Sequence, residues 1–198
     1  MIRLFIAIAI PDAIKGEIAG LGRSIPRARP VPVEQMHLTV KFIGEVEGSR
    51  LLDIQTVLTE ISRPQFTLCL HGVGTFPPRG TPRVLWAGVH PLDNLIALHR
   101  AIEGKLSEIA IPREKQKYSP HLTLARLNNS PLKHLQQFLA GNAFLRTPGF
   151  TVATFTLHKS QLTNNGAKHT LIESYPLKAV FAKESPSTVG PPPPCPGQ

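Results

Sequence analysis

Two histidines and the threonines beside them are the residues of this sequence best suited to chemistry. His37 lies in Met36-His37-Leu38-Thr39-Val40 and His121 in Pro120-His121-Leu122-Thr123-Leu124. An imidazole, with an ordinary pKa of about 6.5, serves as either acid or base near neutral pH. A hydroxyl two residues further along a strand shares its face and can donate to a phosphoryl oxygen. Two such pairs meeting in one cleft suit the opening of a cyclic phosphodiester. One ring takes a proton from water, the other delivers one to the departing ribose oxygen, and the threonines hold the phosphorus for in-line attack. That scheme requires neither metal nor nucleotide cofactor. A single His-x-Thr is a weak signal, because a histidine in a strand is more often an ordinary hydrogen-bonded residue. The weight comes from the repeat.

The elements around the two motifs repeat as well. The strand period of two puts Met36, Leu38 and Val40 on one face and His37 and Thr39 on the other, and the second copy does the same with Leu122 and Leu124. His37-Leu38-Thr39 recurs as His121-Leu122-Thr123, and Phe66-Thr67 recurs as Phe150-Thr151, both 84 positions on. The pattern predicts a strand over 3–10, a helix capped by Asp12 and running to about Gly22, a Pro- and Arg-rich loop over 24–33 and a strand over 36–43. Ser49 then caps a helix through about Ile61, and strands over 66–73 and 83–89 flank a turn containing Pro77, Pro78, Gly80 and Pro82. A helix over 92–109, the longest, leads to a strand over 119–127, a helix over 131–139, and a hairpin of 150–160 with 169–177 around Asn164-Asn165-Gly166. Helix, strand, helix, strand, strand thus occurs twice. The expected fold is α+β and bilobal, with two pseudo-symmetric lobes of antiparallel-rich sheet and outer helices around a central cleft. Residues 1–183 form one such domain, duplicated over approximately 12–90 and 92–177, and 184–198 a proline-rich disordered tail.

Composition narrows the class. The chain has 198 residues, 41% of them hydrophobic, and a net charge of +9. No apolar run approaches the roughly 20 residues of a membrane span, and the apolar stretch after Arg3 is a poor signal peptide because Pro11 and Asp12 stop it. Cys69 and Cys195 offer neither a disulfide framework nor metal-ligand spacing, which fits a reducing cytoplasm. The basic excess, with clusters at Arg23, Arg27 and Arg29 and at Arg113, Lys115 and Lys117, favours a phosphate-bearing partner. The remaining histidines, His71, His90, His99, His134, His158 and His169, show no metal-binding spacing, and no phosphate-cradling glycine loop is present. Tyr118 is the candidate for base stacking ahead of Phe76 and of Trp86, which reads as core. Strict alternation puts Arg126 on the Leu122 face, so a part in phosphate binding requires a bulge. Lys41 shares the His37 parity and reads as a solvated side chain.

On these motifs the chain resembles the 2H phosphoesterase superfamily, and within it the bacterial and archaeal RNA 2′,3′-cyclic phosphodiesterases, historically called 2′-5′ RNA ligases. The resemblance includes Arg3-Leu4-Phe5-Ile6-Ala7-Ile8, His37 through Val46, Gly74-Thr75-Phe76-Pro77, Arg83-Val84-Leu85-Trp86, Pro120 through Arg126 and Ser160-Gln161-Leu162. It implies hydrolysis of terminal 2′,3′-cyclic phosphates to 2′-phosphates, with some reversible 2′-5′ ligation. His37 would be the proton donor, His121 the proton acceptor, and Thr39, Thr123 and Arg126 the phosphate-binding residues. The roles of the two histidines can also run the other way in so symmetric a cleft. The implied partners are RNAs with 2′,3′-cyclic phosphate ends, such as tRNA halves, or small cyclic nucleotides, met by a cytoplasmic monomer without cofactor or metal. Two departures stand out: Val31 and Val33 where the family often has an aromatic residue, and His169 where it often has tyrosine. The competing reading is a non-catalytic protein whose His-x-Thr pairs grip the phosphate of an RNA or nucleotide.

Overall fold

A computed structural model describes residues 1–163 and 166–179. Its middle is set by β1 (Ile2–Ala9), in which five successive residues, Leu4 to Ile8, are buried. So continuous an apolar run belongs to a strand covered on both faces rather than one with a wet side. β1 is flanked by β3 (His37–Val46) and β8 (Thr154–Thr163), both antiparallel to it. With β2 (Ala28–Pro30), β4 (Phe66–Phe76), β5 (Val84–His90), β6 (His121–Leu127), β7 (Phe150–Val152) and β9 (Gly166–Pro176), the strands form one sheet in the order β7-β4-β5-β6-β3-β1-β8-β9, with β2 added on β6. The fold is α+β, a curled antiparallel sheet with helices α1 (Asp12–Ile18), α2 (Leu51–Thr59), α3 (Asp93–Glu108) and α4 (Leu132–Gly141). The helices bury one stripe each, as Leu95, Leu98, Ile102 and Leu106 do on α3.

The sheet divides at its centre. β3 and β6 register through one pair, Leu38↔Leu122, and each strand is otherwise held by its own side of the sheet. The lobe containing β6 also holds β4, β5 and β7, and the lobe containing β3 holds β1, β8 and β9. Neither lobe is a continuous stretch of chain, since strands from both sequence halves enter each. In two of the ladders that join the halves, Leu38 faces Leu122 and Thr67 faces Thr151. Antiparallel neighbours related by a twofold axis face their own counterparts in this way.

Several elements differ from the sequence expectation. α1 stops at Ile18, and Pro11 rather than Asp12 occupies its N-cap, with Asp12 in the first turn paired to Lys15. Gly20 and Gly22, both at positive φ, lie in the turns beyond it. The supposed loop over 24–33 contains β2, which pairs Ala28, Arg29 and Pro30 with Leu127, Arg126 and Ala125. Ser49 falls in a 3-10 turn, Gly48–Arg50, so α2 begins only at Leu51. α4 begins at Leu132 with Pro131 as its N-cap. The strand expected over 150–160 is two: β7 pairs with β4, and β8 starts afresh against β1 and β9. The turn residues Asn164 and Asn165 and the tail over 184–198 lie outside the described residues.

One irregularity occurs in both motif strands. In β3 the register passes from Ala7↔Thr39 to Ile6↔Lys41, and in β6 from Trp86↔Thr123 to Leu85↔Ala125. Each motif strand carries one extra residue, Val40 or Leu124, which is a β-bulge. Burial follows it: Val40 and Lys41 are both buried, as are Leu124 and Ala125, and the next residue in each strand, Phe42 or Arg126, is exposed. Five positions after each histidine, therefore, the chain has returned to the histidine's face.

Candidate active site

The Leu38↔Leu122 pair brings the two motifs together. Both leucines are fully buried, and His37, Thr39, His121 and Thr123 lie on the opposite, half-open face. One step either side of that antiparallel pair sets His37 against Thr123 and Thr39 against His121. Each imidazole is fixed by the backbone two residues before it. His37 Nδ1 lies 2.7 Å from the Gln35 carbonyl oxygen and His121 Nδ1 lies 2.8 Å from that of Ser119. A carbonyl only accepts, so each bond requires a proton on Nδ1 and leaves Nε2 as the ring nitrogen available for chemistry. Neither threonine hydroxyl is engaged by another side chain or carbonyl among the described residues.

His37 sits in an aromatic nest. The Phe5 ring is 4.9 Å from it, His169 meets it edge-on at 5.2 Å, and His158 lies parallel at 6.4 Å. Burial is the main reason its pKa is pushed down to about 4. The Gln35 carbonyl opposes that shift, and His169, His158 and Lys15 add to it. His158 is lowered by burial and by His169, and His169 by burial and by Arg3. The Thr156 hydroxyl donates to the Ala7 carbonyl and so accepts from His158 Nε2. Sequence reasoning sets His158 aside for want of metal spacing and notes His169 only as standing where the family often has tyrosine. Their place on adjacent strands of one hairpin is the signal that could have found them.

On the other side, Phe76 meets His121 edge-on at 4.9 Å and Trp86 packs on Phe76 at 5.3 Å. Trp86 pairs with Thr123 and Gly88 with His121 in the β5–β6 ladder. Gly74 makes room for the indole, since a Cβ there would lie 2.2 Å from its ring. Trp86, expected in the core, thus lines the site wall.

Three other residues need correction or placement. Lys41 is not solvated: the bulge turns it inward, 1% exposed, where Nζ meets Glu103 Oε1 at 2.6 Å and the Pro112 carbonyl at 3.3 Å. Tyr118 is not a free stacking platform, because its ring lies flat on His99 at 4.1 Å and its hydroxyl donates to the Thr39 carbonyl. Burial drives its pKa upward and keeps that hydroxyl protonated. Arg126 meets the condition set for it, since the bulge at Leu124 puts it on the His121 face.

A cavity of about 430 Å³ is lined by His99, Arg100, Glu103, Arg113 and Glu114. His99, Glu103 and Glu114 bring potential ligand atoms within 4.8 Å of one another, a grouping the histidine spacing does not reveal. Lys41 already satisfies one oxygen of Glu103, and Glu114 accepts from the Phe42 amide. With Arg100 and Arg113 beside them, these carboxylates are offset by fixed cations.

The fold agrees with those of known proteins. Residues 10–164 match the model of the 2′-5′ RNA ligase superfamily. The chain belongs to that superfamily. Among other members, a protein of Methanocaldococcus jannaschii named RNA 2′,3′-cyclic phosphodiesterase is 33% identical over 87% of this chain and 99% of its own length. One of the same name from Thermus thermophilus is 29% identical over 92% and 93% of the two chains. The crystal structure of a Thermus thermophilus protein superposes with a TM-score of 0.74 at 26% identity, covering 89% of this chain and 98% of that one. The structure of Escherichia coli LigT complexed with 3′-AMP superposes with a TM-score of 0.70 at 26% identity over the same shares. No helix among the described residues is long and apolar enough to cross a membrane.

Proposed function

We propose that this protein hydrolyses the 2′,3′-cyclic phosphate at an RNA end to a 2′-phosphate, with His37 and His121 as its acid–base pair. The observation that carries the reading is the single Leu38↔Leu122 contact, on whose open face the two His-x-Thr pairs gather with each Nδ1 tied to a carbonyl. In the proposed step, His121 Nε2 takes a proton from water as its oxygen bonds to phosphorus. The bond from phosphorus to O3′ breaks, and His37 Nε2 delivers a proton to O3′. Thr39 and Thr123 donate to the nonbridging oxygens, and Arg126 adds positive charge. The division of roles rests on family resemblance. The low proton affinity of His37 makes it a ready donor once charged, and the anionic phosphate supplies the countercharge that lets it take up that proton. With a 5′-hydroxyl in place of water, the same displacement joins two RNA ends through a 2′-5′ linkage.

The test is incubation with an RNA ending in a 2′,3′-cyclic phosphate, without added metal or ATP, and identification of the terminal product. A 2′-phosphate is expected; a 3′-phosphate, or no turnover, overturns the proposal. His37→Ala and His121→Ala separate the enzyme from a binding module, because only in the enzyme is turnover lost while RNA binding is retained.

A further inference from the structure

The early arginine cluster finds its place through β2. Arg29 is directly opposite Arg126 in the β2–β6 pair, and residues so opposed point to the same face with Cβ atoms about 5 Å apart. Two like charges in that position repel, and a chain that places them there without compensation is destabilised. Among the described residues no carboxylate forms an ion pair with Arg29, Arg126 or nearby Arg83. All three side chains are exposed. Arg83 and Arg126 share a cavity of about 480 Å³ with Thr81, Asn128 and Asn129, groups that add neutral hydrogen-bonding capacity. The bulge at Leu124 turns Arg126, and Arg29 opposite it, to the same face as His121 and Thr123, and Arg83 joins them through the shared cavity. From Thr123 to Arg126 the strand advances roughly 10 Å. An RNA strand has a further phosphodiester upstream that can lie at such a separation, whereas a nucleoside cyclic monophosphate has none.

We propose that Arg29 and Arg83, with Arg126 between them and the catalytic pair, form a subsite for the phosphodiester backbone upstream of the cyclic phosphate, so that the preferred substrate is an RNA strand end rather than a mononucleotide. This rests on the function proposed above. Planar guanidinium groups engage phosphodiester oxygens bidentately, and a row of them tracks a backbone without reading bases. The repulsion between Arg29 and Arg126 is relieved when a phosphate lies between them, so ligand binding recovers what the free shelf loses.

The experiment compares kcat/KM for an oligoribonucleotide ending in a 2′,3′-cyclic phosphate with that for a nucleoside 2′,3′-cyclic monophosphate, in the parent and in Arg29→Glu and Arg83→Glu. Binding of the matching 2′-phosphate-ended oligoribonucleotide is measured in parallel, and circular dichroism checks the fold. The parent is expected to favour the oligonucleotide, and each variant to lose roughly tenfold to a hundredfold of that preference. The salt dependence of oligonucleotide binding should flatten by about 0.7 in log–log slope per contact removed. Equal losses on both substrates, no loss on either, or equally tight binding of a polyglutamate peptide overturns the subsite. If the parent hydrolyses neither substrate but the variants still bind the oligonucleotide more weakly, the subsite stands and the proposed reaction falls.

Discussion

The titration of His37 is the most direct test of how the site works. Burial against Phe5 and the two neighbouring imidazoles pushes its pKa down to about 4, so the free protein holds this ring neutral at pH 7. A proton donor with that affinity needs help from its substrate. One negative charge about 4 Å from the ring contributes roughly 4 kcal/mol at an effective dielectric of about 20. At about 1.36 kcal/mol per pKa unit that is close to 3 units, enough to bring the ring's pKa back to near-neutral pH and let it hold the proton it must donate. The assay is histidine-selective NMR of the ring nitrogens across pH, first on the free protein and then saturated with a nucleoside 2′-phosphate. A midpoint near 4 that climbs by 2 units or more with ligand is expected. A free-protein midpoint near 6.5 would remove the burial argument, and a midpoint unmoved by bound phosphate would refute the acid role. Stability carries the same sign. Because the folded pKa lies below the unfolded one, the folded chain binds fewer protons between about pH 6.5 and 4. The contribution of His37 to stability is therefore fully present above that window and is lost as pH falls through it, at no more than about 1.4 kcal/mol per pH unit.

Other outcomes follow from the same geometry. Lys41→Met strands the Glu103 carboxylate in the interior and should cost about 3–5 kcal/mol in denaturant unfolding, most of it recovered in Lys41→Met/Glu103→Leu. Gly74→Ala drives a methyl into the Trp86 ring and through it against Phe76 and His121, so both the thermal midpoint and kcat should fall. Thr123→Val, nearly isosteric, should leave the fold intact and lower kcat by roughly tenfold to a hundredfold, read in single-turnover assays. Prolonged treatment with a chelator should leave turnover of the cyclic phosphate unchanged.

The catalytic candidates are legible because they obey local rules. Period-two alternation separates Leu38 from His37 and Thr39, and the same letters recur in β6. Element type is legible wherever one stripe or one face is apolar, as along α3. What fails needs knowledge of a partner. The backbone of Ala28–Pro30 has no strong strand propensity, and it is β6 that makes it a strand. The break at Ala153 between β7 and β8 exists because two different neighbours claim the two segments. Counting alone assigns Lys41 and Arg126 to their faces, and a single unpaired residue ahead of each reverses the count.

The paired bulges have a consequence for substrate orientation. A pocket with two interchangeable sides accepts an asymmetric molecule equally well in either of two poses, and only one pose puts O3′ next to the donor. The first position to rejoin the open face after each bulge is Phe42 on one side and Arg126 on the other, an exposed hydrocarbon ring against an exposed cation. That outlying position, together with the unlike rings around His37 and His121, tells one side from the other, while each His-x-Thr pair keeps its twofold counterpart.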